Sequence, residues 1–439
     1  MEPEQLRIFL AVAEHGSFTA AAKALFLSHS TTSRAVAALE RELGSPLFLR
    51  QGRTVALTKA GETLKPEAER ILMLMEEVKE KVIMNNLKRI QDALIANDLD
   101  AVLLIDPLNR YYAAGFHTSD GAVLITREKG YYITDSRYIE AAHNALDGLV
   151  EVILNDRAHP IGRILKQLVS DCKIEKLGAE DGSLTYQQYL AYERILGLKL
   201  VPAQNLIMSL RQIKQPEELE YMKAAQAITD QALKEVLPLI RPGVTEREIA
   251  AELTYRQLRL GAEGNSFDPI VVTGSHSSMP HGVPGDRKIE MGDFITMDFG
   301  CLKGGYCSDM TRTVALGSVT DEMKKVYNIV LEAQLAGIAI AKAGVTGAEI
   351  DGAARDLIAS YGYGEYFGHG FGHSLGLYIH EAPNCAPNNR EPMPEHAVCS
   401  AEPGIYLPGR FGVRIEDVMH LTADGAEVLT KSPKELIIL

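Results

Sequence analysis

Cysteine is scarce in this chain: five residues in 439 (Cys172, Cys301, Cys307, Cys385 and Cys399), with no C-x-x-C pair among them. That excludes a disulfide framework and a thiolate zinc knot, and leaves buried reduced thiols. No uninterrupted apolar run approaches the ~18 residues needed to span a bilayer, so no membrane partner is expected. The opening "MEPEQLRIF" is acidic and lacks a signal-peptide layout, which points to the cytoplasm. An excess of positive charge is missing too. Net charge is −13, and it is unevenly spread. Residues 1–83 hold eleven Lys/Arg and eleven Asp/Glu, so the remaining 34 basic and 47 acidic side chains carry the whole imbalance. The large part should repel nucleic acid, and any DNA binding must come from the small head.

What is present is ordinary globular composition, 46% hydrophobic and 23% charged, in a length that suits about three domains. "EQLRIFLAVAEHG" places Leu6, Phe9, Leu10 and Ala13 on one helical face before Gly16. "SFTAAAKAL" follows, with Ser17 or Thr19 available as a cap. Ser28 caps a third helix, "HSTTSRAVAALEREL", which Gly44 ends. "PLFLRQGRTVALT" then alternates about Gln51-Gly52 as a small hairpin. Three short helices and a wing make a winged helix-turn-helix, whose third helix enters the major groove.

Residues 5–61, with the turn L-E-x-x-L-G-x-x-L-F and the wing, resemble the DNA-binding head of a LysR-type transcriptional regulator. By that likeness His29, Ser30, Ser33 and Arg34 face double-stranded DNA, with Arg50 and Arg53 near phosphate. His29 and Ser30 stand where the family commonly has Gln and Pro, which bears on the operator sequence. The resemblance also implies a dimerising linker helix. Leu64, Ala68, Ile71, Met75, Val78 and Val82 step by fours and threes as its seam, with Pro66 in the first turns. The next seam positions are Asn85 and Arg89. The stripe therefore stops beside Met84, which would serve as an initiator, and a fusion of two proteins is expected there.

From Met84 a helix, "NNLKRIQDALIANDL", leads to short strands at "DAVLLID", "GAVLIT" and "GYYIT", the last two parted by a turn at Lys129-Gly130. Helices and strands alternate to "LKLVPA", an α/β domain, and Pro216 opens the next helix. The chemistry lies further on. Alternation in "DFITMDFG" puts Phe294, Thr296 and Asp298 on one side of a strand, and Asp309 shares a side with Thr311 and Thr313. Then come "GHGFGHSLGLYIHEAP", "AEPGIYLP" and "GVRIEDVM", where Arg414 and Glu416 point the same way. Any one of these motifs alone is weak. Together, Asp298, Asp309, His373, Glu402 and Glu416 sit in or beside apolar strands, and four carboxylates buried without cations could not all stay ionised. Two divalent ions resolve that, and one nitrogen among many oxygens suits Mn, Co, Zn or Fe(II) alike.

Residues 84–439 resemble a Xaa-Pro peptidase of the prolidase and aminopeptidase P group, the two-metal pita-bread hydrolases. "ITMDFG", "YCSDMTRT", "GHGFGHSLGLYIHE", "EPGIY" and "VRIED" follow the family order, and His281 stands seventeen residues before Asp298 as in that group. The resemblance implies a proline-containing peptide as substrate, with Glu402 as general base as well as ligand. It implies that His281 or His380 supports the oxyanion, His380 orients substrate, His369 assists proton traffic and Arg414 pairs with a ligand carboxylate. The fold expected is multidomain. A winged helix-turn-helix head (1–60) and linker helix (61–83) precede an α/β creatinase-type domain (84–208) and an α+β pita-bread catalytic domain (209–439). A homodimer follows from both resemblances, and a tetramer if the two dimer axes do not coincide. The competing reading is a transcriptional regulator whose peptidase-like body senses peptide. The intact ligand set favours the enzyme.

Overall fold

Serine side chains start the short helices of the N-terminal part. Ser17 Oγ accepts from Ala20 N at 3.4 Å and opens the helix Phe18–Ala24. Ser28 Oγ accepts from Thr31 N at 3.1 Å and opens the helix His29–Leu43. Gly44 ends the latter in the left-handed region, φ +67°. The computed structural model describes residues 3–25, 27–51, 54–83 and 86–439. They fall into two units, Met1–Asn86 and Leu87–Leu439.

In the first unit the helix Pro3–His15 buries Leu6, Ile8, Phe9 and Val12 against Ala21, Val36, Leu39, Leu47 and Phe48. Leu10 and Ala13, expected on the buried face, lie at its margin. The reason is that this helix packs against both following helices and the linker helix, so its apolar face turns toward three neighbours. The hairpin pairs Phe48–Gln51 with Thr54–Leu57, Gln51 opposite Thr54. Glu40 ties it to the third helix, its Oε1 accepting from Leu47 N at 2.7 Å. That contact gives the glutamate of the L-E-x-x-L-G turn its physical role.

The linker helix runs Lys59–Ile83 with Pro66 inside it. Its seam begins differently from expectation. Ala68 is fully buried in the head's own core, and Leu64 and Ile71 pack on it. Those three positions are therefore used within the chain. Met84 and Asn85 lie outside the described residues.

The second unit opens with the helix Asn86–Ala96 and a six-stranded mixed sheet. Its order is Glu151–Leu154, Gly130–Thr134, Ala122–Thr126, Ala101–Leu104, Leu177–Ala179, Leu200–Pro202. The central strands are buried on both faces, so they read as continuous apolar runs rather than alternations. The turn between the second and third sequence strands spans Arg127–Lys129, closed by Thr126 N to Lys129 O at 2.8 Å, and Gly130 already belongs to the strand. The 208/209 division lies inside the helix Gln204–Gln212.

Beyond Pro216, two helix pairs each cover an antiparallel sheet. Helices Pro216–Val236 and Glu246–Arg259 pack on strands Ile270–Thr273, Phe294–Phe299 and Met310–Ala315. Helices Asp321–Ile340 and Gly347–Ser360 pack on a five-stranded sheet ordered Glu381–Cys385, Gly372–Ser374, Val398–Ala401, Asp417–Leu421, Ala426–Val428. The hairpin Gly404–Leu407 with Phe411–Arg414 completes this half. Ile295, Met297 and Phe299 anchor one face of their strand in the core, each worth roughly 1.5–3 kcal/mol of burial. That leaves the alternate positions, Thr296 and Asp298, for the other face. No helix among the described residues is long and apolar enough to cross a membrane.

Candidate metal centre

Strand pairing brings the carboxylates together. Asp298 sits opposite Thr311 on one neighbour and Ile270 on the other. Asp309 immediately precedes the strand Met310–Ala315, and Glu416 N donates to Thr311 O at 3.1 Å, which draws the C-terminal strands to the same place. Thr311 Oγ1 donates to Glu416 Oε2 at 2.8 Å and accepts from Arg414 Nε at 3.0 Å. His373 stands at a bulge in its strand and Glu402 follows the next one. Ser400 joins them, accepting from His373 N at 3.0 Å and donating to Glu402 Oε1 at 3.1 Å. Gly372 is required here, since a Cβ would lie 2.0 Å from Ser400 O.

Asp309, His373 and Glu416 offer ligand atoms within 4.8 Å of one another. His373 Nε2 lies 3.4 Å from Glu402 Oε1 and 3.6 Å from Asp309 Oδ2. The other ring nitrogen donates to Ser374 O at 3.2 Å, so Nε2 presents its lone pair. Asp298 Oδ1, Asp309 Oδ1 and Glu416 Oε1 are buried with no hydrogen-bond partner among the described residues. Burial and then the neighbouring acids push Asp309 and Glu416 well above the usual carboxylate range, and burial raises Glu402. Orphaned buried oxygens facing one another beside a histidine lone pair fit divalent cations, which would satisfy the oxygens and reverse the mutual repulsion.

Arg414 is fully engaged. Its Nη2 donates to Asp298 Oδ2 at 2.6 Å, Nη1 to the Tyr406 hydroxyl at 2.9 Å and to Pro280 O at 3.2 Å. The Tyr406 hydroxyl lies 2.9 Å from His369 Nε2, and His369 Nδ1 donates to Gly370 O at 2.8 Å. The donors therefore run in one direction, Arg414 to Tyr406 to His369 to Gly370. Burial pushes the Tyr406 phenol up to about 12, so it stays a donor. Burial lowers the basicity of His369 and His380. His281 and His380 are exposed to the cavity.

All nine side chains named from the sequence for this chemistry line one cavity of about 460 Å³. The same wall holds residues that sequence reasoning did not single out: Phe267, Asp268, Ile270, Ile379 and Asn384. Asp268 is exposed there and makes no hydrogen bond or ion pair among the described residues. The run "SFDPI" before Ile270 was the available signal, because Pro269 confines Asp268 to extended backbone. Tyr406 and Ser400 had no local signal, and alternation placed Thr311 on the side of Asp309 without showing its contact with Glu416.

Residues 220–423 match the model of Metallopeptidase family M24, and residues 86–213 that of the Creatinase/Prolidase N-terminal domain. An uncharacterized peptidase of Bacillus subtilis is 41% identical over 342 residues, covering 78% of this chain and 96% of its own length. The chain belongs to metallopeptidase family M24. Among solved members, a Xaa-Pro dipeptidase from Bacillus anthracis shares 44% identity at a TM-score of 0.78, over 81% of this chain and 99% of its own. An X-Pro aminopeptidase from Thermotoga maritima shares 39% at 0.75, over 78% and 98%. The family is one of metallopeptidases, which implies divalent metal, and the cluster of Asp309, His373 and Glu416 is a candidate place for it.

Residues 3–62 match the model of the bacterial regulatory helix-turn-helix protein, lysR family. In that unit Ser30 and Arg34 are exposed in the first turns of the third helix, and Ser33 is half-buried. Ser30 Oγ lies 2.8 Å from Ser28 Oγ, and Arg34 Nε donates to Ser30 O at 3.2 Å. His29 opens the helix and Arg50 lies in the first strand of the hairpin. Arg53 lies outside the described residues.

Proposed function

We propose that this chain is a metal-dependent exopeptidase that hydrolyses the Xaa-Pro bond at the N-terminus of peptides or in dipeptides. The observation that carries the reading is the set of buried, partnerless carboxylate oxygens on Asp298, Asp309 and Glu416, gathered with His373 and Glu402. These five would hold two divalent cations, Mn or Co ahead of Zn or Fe. When bound, such ions polarise a carbonyl oxygen and acidify a water molecule.

The chain's own groups do the rest. Glu402 accepts the proton of the attacking water, its Oε1 oriented by the Ser400 hydroxyl. His281 and His380 donate hydrogen bonds to the carbonyl oxygen as it gains charge. Glu402 then passes that proton to the leaving nitrogen, while His369, held by Tyr406 and Gly370 at its two ring nitrogens, stays fixed in the wall of the site. Arg414 pairs with Asp298 and aims its carboxylate. Phe267, Ile270 and Ile379 supply apolar walls for the proline ring. An imide nitrogen has no hydrogen, so the pocket needs no acceptor there, whereas an N–H would be left unpaired at a cost of ~1–3 kcal/mol. Asp268 receives the free α-ammonium of the substrate, which makes the action exopeptidic.

The head, by its family match, attaches the enzyme to double-stranded DNA through Ser30, Ser33 and Arg34, and we assign His29, Arg50 and Arg53 to DNA contact by the resemblance alone. We assign the head to residues 1–60 and the linker helix to 61–83. The α/β domain takes 84–208 and the catalytic domain 209–439, in a cytoplasmic homodimer.

Asp268→Asn tests the substrate reading. KM for Ala-Pro-Ala should rise about tenfold or more with kcat little changed, the loss expected for one charge-assisted contact. N-acetyl-Ala-Pro-Ala should be a poor substrate of the wild type. Equal hydrolysis of the acetylated peptide would refute exopeptidase action.

A further inference from the structure

The His380 ring makes no hydrogen bond among the described residues and stands 4.3 Å from that of His373. Its position is therefore set by its backbone, and its neighbour Glu381 is what that backbone is built around. The Glu381 carboxylate is buried, its side chain 1% exposed, and accepts from Arg211, from Lys214 Nζ at 3.2 Å and from Tyr378 N at 3.0 Å. The segment Gly376–Glu381 folds over it so closely that a Cβ on Gly376 would lie 2.9 Å from Oε2.

Arg211 and Lys214 come from the helix Gln204–Gln212 and the turn after it, not from the catalytic sheets. Arg211 Nη1 donates to Asn109 Oδ1 at 2.5 Å, and Asn109 Nδ2 donates to Glu180 Oε1 at 2.6 Å. Glu180 Oε2 accepts from Ile105 N and from Asp106 N. Tyr378 adds a second tie: its ring lies 5.0 Å from the Arg211 guanidinium and its hydroxyl donates to Asp106. Glu180, Asn109, Arg211 and Glu381 thus form a buried, hydrogen-bonded path from the α/β sheet to the residue beside His380, with Lys214 as a second cation on Glu381. Arg211 Nε has no partner among the described residues, but both of its terminal nitrogens are engaged, and a buried network of such charge-assisted contacts permits little displacement.

We propose that Glu381 is a positioning residue for His380, and that the α/β domain, holding Arg211 through Asn109 and Tyr378 through Asp106, is the clamp that sets it. This rests on the role given to His380 above. The donor to a developing oxyanion must be placed to a fraction of an ångström, and a displacement of about 1 Å can cost ~10²-fold.

The test is a double-mutant cycle on the metal-loaded full chain, with Glu381→Gln, His380→Ala and the pair, assayed at enzyme concentrations that resolve slow rates. Glu381→Gln should lower kcat about tenfold to a hundredfold with KM within about threefold and metal content unchanged. In the His380→Ala background the same substitution should cost nothing further, because Glu381 acts only through that ring. Equal losses in both backgrounds would overturn the proposal and leave Glu381 as a stabilising ion pair. Full kcat in His380→Ala alone would instead remove the role given to His380. If Glu381→Gln does not fold, Tyr378→Phe carries the same cycle from the exposed end, with about a threefold loss that must vanish in His380→Ala.

Discussion

Glu402 is asked to do two things at once, to hold a cation and to take a proton. Burial raises its carboxyl, and His369 and Arg414 oppose that rise without cancelling it. A carboxylate held between those influences is suited to accept a proton briefly. Glu402→Ala should therefore lower kcat by about 10³-fold or more while the far-ultraviolet circular dichroism of the chain stays unchanged. Turnover near the wild-type rate would remove it from the chemistry. Other residues of the site differ in how legible they were. Asp298 could be read locally, because period-two alternation in an apolar strand separates the core-facing Ile295 and Met297 from Thr296 and Asp298. The contact of Thr311 could not be read, because its partner Glu416 is 105 positions away and the contact exists only after the strands pair. Tyr406 was hidden for the same reason. Its hydroxyl joins Arg414 to His369, three residues on separate segments.

Elements show the same division between local and long-range information. The wing hairpin and the helix starts at Ser17 and Ser28 follow from turn residues and caps. The early seam of the linker helix misled because an apolar stripe does not state its partner, and Ala68 is taken by the head's own core. The clamp on the His380 loop is likewise invisible in one dimension, but it carries a pH signature. Burial pushes Glu381 up, yet Lys214 and then Arg211 outweigh it and hold the carboxyl below its usual value. A depressed acid contributes stability that is present above its unfolded pKa of about 4.3 and lost as pH falls through the lower folded value. Thermal unfolding of the full chain should thus shift downward below about pH 4, and the Glu381→Gln chain should lose less over the same interval. Parallel acid limbs for the two chains would show that the pair does not carry this linkage.

At the scale of the whole molecule, two proteins' worth of information lie end to end. The contact units divide at Asn86–Leu87, and the creatinase-type match begins at residue 86 while the lysR-family match ends at 62. Arg89, where the seam fails, instead donates to the Tyr112 hydroxyl at 2.7 Å and to Leu210 O at 3.0 Å, inside the second unit. The B. anthracis structure is matched over 99% of its own length by 81% of this chain, so the head is extra to the enzyme. Residues 86–439 expressed alone should keep kcat/KM within about twofold of the full chain. A larger loss would mean that the head takes part in catalysis.

The central claim is that buried carboxylates and one histidine make this a working metallopeptidase. The most direct test is hydrolysis of Ala-Pro and Ala-Pro-Ala by EDTA-treated full-length protein, before and after addition of Mn²⁺ or Co²⁺. The account predicts no alanine release from the stripped protein and metal-dependent release after reconstitution. Folded protein that releases no alanine with either metal would contradict it.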